Sequence, residues 1–189
     1  MSELIRSFIA IEIENREVLN KIIRVRDMIA SLSGDALKVV EDENIHLTIR
    51  FLGEIDRSTL ENIKKILDEA KIFKRFDIHV KGLGAFPNVA KPRVIWVGVE
   101  EGFEKLREIR RFIDEKTHGL RIHIDQHDFQ PHITIARVKT ALPPKAAQIL
   151  MNYSSEDFGY SSVSKLILKK SFLTSRGPIY TDLHIVELS

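Results

Sequence analysis

His46-Leu47-Thr48-Ile49-Arg50-Phe51-Leu52-Gly53 alternates polar and apolar side chains, and Pro131-His132-Ile133-Thr134-Ile135-Ala136-Arg137-Val138 repeats the pattern later in the chain. A period of two is the mark of a half-buried strand. Side chains on a strand alternate faces, so His46, Thr48 and Arg50 share one face while Leu47, Ile49 and Phe51 share the other. In the second copy His132 and Thr134 share the polar face, and Ile133 and Ile135 point into a core. A lone His-x-Thr on a strand is usually ordinary strand chemistry. Two copies, each backed by an apolar face, point to one active site built from two strands.

The composition narrows the classes. A chain of 189 residues is long enough to bury a proper core as one domain or two closely packed lobes. With 29 basic and 27 acidic side chains, the formal charge of +2 argues against holding nucleic acid by bulk charge, although a local basic pocket fits. There is no cysteine, which removes disulfides, thiolate nucleophiles and cysteine-ligated metal. No apolar run has the length of a membrane span. The start, Met1-Ser2-Glu3-Leu4-Ile5-Arg6, lacks a leader pattern, and the apolar run from Phe8 breaks at Glu12. A soluble, cytoplasmic protein is expected.

Around the two motifs the chain reads as strand, helix, strand, helix, strand, and then the same again. Strands are expected at Ser7 to Ile13, Leu37 to Val40, Phe76 to Phe86, Arg93 to Val99, Ser164 to Leu173 and Pro178 to Leu188. Helices are expected from Arg16 to Leu32, after Ser58, from Phe103 to His118 and from Pro143-Pro144 through Met151. Ser58 with Glu61 reads as a capping box. His132 follows His46 by 86 residues, and Arg93 follows Ser7 by the same 86. At that offset the helix at Leu60 to Leu67 falls on Ala146 to Tyr153, and Phe86 falls on Phe172. A shared offset with a shared order of elements indicates an internal duplication, with one domain over residues 1–189 made of two interleaved lobes. Two lobes related by a pseudo-twofold let the two His-x-Thr strands face each other across one cleft.

Facing histidines, without cysteine or a carboxylate pair, suit proton transfer at a phosphoester. Imidazole titrates near neutrality, at roughly pH 6.5, so one ring can act as base while the other acts as acid. Displacement at phosphorus is in-line, which matches one histidine from each lobe. The hydroxyls of Thr48 and Thr134 can donate to the non-bridging oxygens, and an arginine would balance their charge. Arg50 lies on the His46 face; Arg137 falls on the wrong face of a regular strand and needs a bulge to reach the site. A rival site is His123-Ile124-Asp125-Gln126-His127-Asp128, where His123, Asp125 and His127 would share a strand face and could hold zinc or manganese. The Asp128-Phe129-Gln130-Pro131 turn argues for a solvated edge instead.

Taken together, these motifs resemble the paired signatures of the two-histidine phosphoesterases. Arg6-Ser7-Phe8-Ile9-Ala10-Ile11, Gly84-Ala85-Phe86-Pro87, Arg93-Val94-Ile95-Trp96, Lys170-Ser171-Phe172-Leu173 and Gly177-Pro178-Ile179-Tyr180 are similar to the branch of RNA 2',3'-cyclic phosphodiesterases, also called 2'-5' RNA ligases. The resemblance spans nearly the whole chain. It implies a bilobal α+β fold with antiparallel sheets lining a central cleft and helices packed outside. It also implies hydrolysis of RNA 2',3'-cyclic phosphate ends to 2'-phosphates without metal or cofactor, a slow reverse joining through 2'-5' linkages, and a role in RNA processing as a monomer. His46 and His132 are then catalytic. Thr48, Thr134 and Arg137 bind substrate, with Arg93, Arg50, Phe51 and Tyr180 as further candidates; Arg50 lies outside the family motif and rests on its strand face alone. Family analogy makes His46 the acid and His132 the base. Phe172 departs from the pattern, where a smaller or polar residue is expected.

Two other readings compete: a related phosphodiesterase acting on a small cyclic nucleotide or an ADP-ribose cyclic phosphate, and a nucleotide-binding module without catalysis. Rates on a short RNA against a mononucleotide separate the first from the RNA reading, and any turnover excludes the second. On the RNA reading, hydrolysis of a cyclic-phosphate-ended oligonucleotide continues in excess chelator. Loss of activity that one divalent ion restores would turn attention to His123, Asp125 and His127.

Overall fold

The computed structural model describes residues 3–189. Met1 and Ser2, the head of the segment read above for a leader, lie outside the described residues. The elements run β1 (Ile5–Glu12), α1 (Arg16–Ser33), β2 (Leu37–Val39), β3 (His46–Ile55), α2 (Arg57–Glu69), β4 (Phe76–Phe86), β5 (Val94–Val99), α3 (Phe103–Lys116), β6 (His132–Val138), α4 (Pro144–Asn152), β7 (Asp157–Val163), β8 (Lys165–Thr174) and β9 (Gly177–Glu187). No helix among the described residues is long and apolar enough to cross a membrane.

The fold is α+β. Helix α1 starts where the side chain of Asn15 accepts the backbone N–H groups of Glu17 and Val18, and it ends at Gly34 with φ 51°, a positive φ that glycine permits. Its buried residues Val18, Ile22, Val25 and Ile29 form one apolar stripe. The cap of helix α2 lies two residues before the expected one. Asp56, not Ser58, accepts from Thr59 N, and Glu61 pairs with Lys64 at 2.8 Å instead of closing a box. Strand β7 escaped the sequence reading, because Gly159 and two serines interrupt its apolar alternation, and its buried positions Phe158, Ser161 and Val163 are neither evenly spaced nor all apolar.

The strands form one antiparallel sheet in the order β7-β4-β5-β6-β3-β1-β8-β9, with β2 pairing the far end of β6. The expected antiparallel sheets are continuous as one sheet, joined in the middle by the pair Leu47 and Ile133. Each half holds a strand from the other half of the sequence. β8 closes on β1, although it follows β6 in the chain, and β4 closes on β5, although it precedes α3. Helices pack on one face, α1 over β2, β6 and β7, α3 over β3, α4 over β4 and α2 over β9. Leu47, Ile49, Ile133 and Ile135 are buried beneath them, as the alternation requires.

The other face stays open, and Trp96 of β5 lies on it against Gly84 of β4. The two residues are register partners, and a Cβ at Gly84 would stand 2.4 Å from the indole ring carbons. Gly84→Ala therefore forces the indole or the β4 backbone to move. The expected cost is about 1–3 kcal/mol, measured as a lower midpoint in urea denaturation. An unchanged midpoint would show that the indole is free to tilt.

Candidate active site

His46 and His132 open the two central strands, and the register between those strands brings them together. Leu47 pairs with Ile133 in antiparallel sense, and Ile133 is also the residue 86 positions after Leu47. A local twofold axis therefore passes between this pair. Continued one step either way, the register sets His46 beside Thr134 and Thr48 beside His132, all four on the open face. The pseudo-symmetry of the sequence is thus a spatial relation at the site.

Both rings are held the same way. Nδ1 of His46 lies 2.7 Å from Asn44 O, and Nδ1 of His132 lies 2.6 Å from Gln130 O. A carbonyl only accepts, so each Nδ1 carries the hydrogen and each neutral ring presents Nε2 as a base. Nε2 of His46 accepts from the Thr48 hydroxyl at 2.9 Å. Aromatic rings wall each imidazole: Phe8 and Tyr180 at 4.9 and 5.3 Å from His46, Phe86 and Trp96 at 5.0 and 6.5 Å from His132.

Burial dominates the electrostatics. Desolvation lowers His46 to about 4, opposed by its hydrogen bond to Asn44; Lys169 and His132 add to the lowering and Glu12 works against it. His132 is also lowered, by burial first and by the neighbouring Arg137, with its bond to Gln130 opposing. The folded chain therefore takes up fewer protons at His46 than the unfolded chain between about pH 6.5 and about 4, so this site costs stability as pH falls through that window. Glu12 is the register partner of His46. Its carboxylate receives Lys169 Nζ at 2.9 Å, which also donates to Asp182 at 2.7 Å. Burial works to lower Lys169, but the bonds to Asp182 and Glu12 more than offset it, and its pKa is raised.

A bulge in each motif strand sorts the remaining candidates. In β3 the partners of Ile9 and Ala10 are Arg50 and Thr48, so Ile49 is skipped. In β6 the partners of Ile95 and Trp96 are Ala136 and Thr134, so Ile135 is skipped. One extra residue shifts the phase of everything after it. Arg137 is thereby brought to the open face, exposed and acting electrostatically on both His132 and Tyr180. Phe51 likewise reaches the His46 side, 50% exposed and 6.1 Å from Phe8.

Arg50 goes the other way, which corrects its assignment as a substrate contact. It is 7% exposed on the helix face, donating Nη2 to His123 O at 2.8 Å. Its Nε stands 2.9 Å from Asp114 and its Nη1 2.9 Å from Asp125. Those N–H vectors miss the carboxylate oxygens, so the contacts are Coulombic pairs and not directed hydrogen bonds. Arg93 is also displaced. Its carbonyl accepts from Val138 N, out of phase with Val94 and Trp96, and it lies roughly 16 Å along β5 from the level of His132 at about 3.3 Å per residue.

The rival cluster does not assemble on a strand. Residues 122–131 are irregular, and Asp125 Oδ2 is taken by Arg50 and Arg110 at 2.9 and 2.8 Å. Among the described residues no group of three His, Cys, Asp or Glu side chains is arranged for a metal. Two surface hollows beside α2 and α3 are lined by neither histidine. Sequence reasoning missed Phe8, Phe86 and Trp96 as walls, the carbonyls of Asn44 and Gln130, and the Glu12–Lys169 pair. A backbone carbonyl leaves no residue signature; the common spacing of two residues before each histidine was the one available clue.

Comparison with known proteins gives the family. The model of the LigT like phosphoesterases matches the chain twice, over residues 11–96 and 97–180. An RNA 2',3'-cyclic phosphodiesterase of Archaeoglobus fulgidus is 40% identical over 185 residues, 96% of this chain and 99% of the relative. Its counterpart in Aeropyrum pernix is 39% identical over 171 residues, covering 90% and 96%. Among solved structures, TT0787 of Thermus thermophilus superimposes with TM-score 0.80 at 30% identity over 97% of both chains. E. coli LigT with 3'-AMP shares the fold at TM-score 0.78 and 22% identity over 99% of both. With its family pattern present twice and near-full-length relatives at this identity, the chain belongs to the LigT-like phosphoesterase family.

Proposed function

We propose that this chain hydrolyses RNA 2',3'-cyclic phosphate ends to 2'-phosphates, with His46 and His132 as the proton-transfer pair and no metal. One observation carries the reading. Two imidazoles, each with Nδ1 bound to the carbonyl two residues before it, stand on one face around a local twofold. The names of the relatives from A. fulgidus and A. pernix supply the substrate. The twofold and the doubled family match support two interleaved lobes that arose by duplication. One chain supplies both histidines, so a monomer suffices, and we place its action on RNA ends in the cytoplasm.

In the reaction His132 Nε2 takes a proton from water as the water oxygen attacks phosphorus. The bond from phosphorus to the ribose 3'-oxygen breaks on the opposite side, and His46 gives that oxygen a proton. Thr48, Thr134 and Arg137 donate to the non-bridging oxygens as charge gathers there, while Phe51 and Tyr180 flank the ribose end. The division of labour follows the family resemblance. Arg137 opposes a charge on His132, which suits a base; at His46 the opposition of Lys169 outweighs the favour of Glu12, so the charge an acid needs has to come with the substrate. A bound phosphate anion offsets the desolvation that keeps His46 neutral in the free protein. With a 5'-hydroxyl in place of water, the same displacement forms a 2'-5' linkage.

His46→Ala and His132→Ala are each expected to slow hydrolysis by about 10² to 10⁴ while the circular dichroism stays that of the parent. On a substrate with an activated leaving group, His46→Ala recovers and His132→Ala does not. The opposite pattern would exchange the roles, and a near-parental rate in either variant would overturn the reading.

The pH profile follows from the two depressed pKa values. The base is active when neutral and fails as pH falls through its pKa; the acid is active when charged and fails as pH rises through its own. The profile of kcat/KM is therefore a bell lying between about 4 and the ordinary imidazole value of roughly 6.5. Anionic substrate raises both values in the complex, so the bell for kcat lies at higher pH. A kcat/KM optimum above pH 7, or no displacement between the two bells, would contradict this electrostatic account.

A further inference from the structure

Arg110, on α3, reaches the strand of His46 and the segment that leads into the strand of His132, at points the reaction does not use. Its Nη1 donates to Ile49 O at 3.1 Å, its Nε to Asp114 at 2.7 Å and its Nη2 to Asp125 at 2.8 Å. The guanidinium carbon stands 5.3 Å from the ring centre of Phe129, a cation–π distance. Phe129 immediately precedes Gln130, whose carbonyl takes the Nδ1 hydrogen of His132.

The other repeat shows what this arginine replaces. After β3 and β6 touch at Leu47 and Ile133 they part, and each exposed edge needs a partner. The edge of β6 is closed by β2, and Ile135 O accepts from Val40 N at 2.9 Å. The corresponding segment on β3 is irregular. His123 N donates to Leu52 O, as expected of the counterpart of Leu37, but the match ends there. Gln126, counterpart of Val40, makes no backbone bond to Ile49, and Arg110 fills that place. A buried carbonyl without a donor is costly, so the substitution has a clear physical basis. Arg50 adds a second tie from β3 to the same segment through His123 O and Asp125.

We propose that Arg110 is a positioning residue: by tying Ile49 O, Asp125 and Phe129 into one unit, it fixes the Gln130 carbonyl and hence the tautomer and aim of His132. The proposal rests on the reading of His132 as a reacting group. Arg110 touches no substrate; it acts through the segment that orients the ring, as partners behind a functional histidine do.

The test is Arg110→Met in the full chain, with nitrogen-15-labelled histidine. In the parent the His132 resonances report hydrogen on Nδ1; in the variant they shift towards a mixture of tautomers. The value of kcat falls by about 10- to 100-fold, the range for a misaimed group, while KM changes by less than about threefold. The pH limb of His132 moves and that of His46 stays. Phe129→Leu, which keeps the ion pairs and loses only the ring, shifts the same readouts less and decides the matter if Arg110→Met does not fold. A folded variant with the tautomer and limb of His132 unchanged overturns the proposal, however much stability it has lost. If the tautomer shifts but His132→Ala remains active, the proposed reaction fails while the control of the ring by Arg110 stands.

Discussion

The backbone pair between Leu47 and Ile133 is the joint on which the molecule turns. Because the two residues are also equivalents in the repeat, the pair creates the local twofold. It puts His46, Thr48, His132 and Thr134 on one face and their apolar neighbours on the other. The strands then diverge, leaving two edges to be closed by β2 and by the segment before β6. Shifting this register by one residue would bury the histidines and expose Leu47 and Ile133. Core packing and site geometry therefore enforce the same register, since Leu47, Ile49, Ile133 and Ile135 are all fully covered.

Desolvation acts on both rings, and the carbonyl behind each Nδ1 limits its effect. The aromatic walls that exclude water press both rings towards the neutral form, while the hydrogen bonds to Asn44 and Gln130 pull back. The charges nearby are not symmetric. Lys169, held by Glu12 and Asp182, sits behind His46, whereas Arg137 sits beside His132. Lys169 and Arg137 both oppose a charge on the ring they approach, and only His46 also has a carboxylate, Glu12, acting the other way.

The same divergence appears in the supports. The free edge of β6 is closed by a strand, and that of β3 by Arg50, Arg110, Asp114 and Asp125. Arg50 has Ala136 as its counterpart, and Asp125 has Val39. The charged set lies at the margin of the core, where partly exposed carboxylates reduce the cost of burying two guanidinium groups. A backbone ladder is indifferent to side chains; a charge cluster depends on four particular residues.

Much of this was legible in the chain. The alternation in the two motifs placed two strands and their faces, because a half-buried strand has a period of two. The helical stripes and the common offset gave the order of elements, because each helix must bury one face against the sheet. Whether Arg50 or Arg137 reaches the site was undetermined, since a bulge depends on which strand lies alongside: skipping Ile49 and Ile135 in the pairing with β1 and β5 reversed both positions. The exchange of β4 and β8 between halves, the carbonyls that hold the rings and the role of Arg110 are contacts between residues distant in sequence or carried by backbone atoms common to all residues. Local pattern selected the residue types, and the packing of strand against strand decided which of them meet.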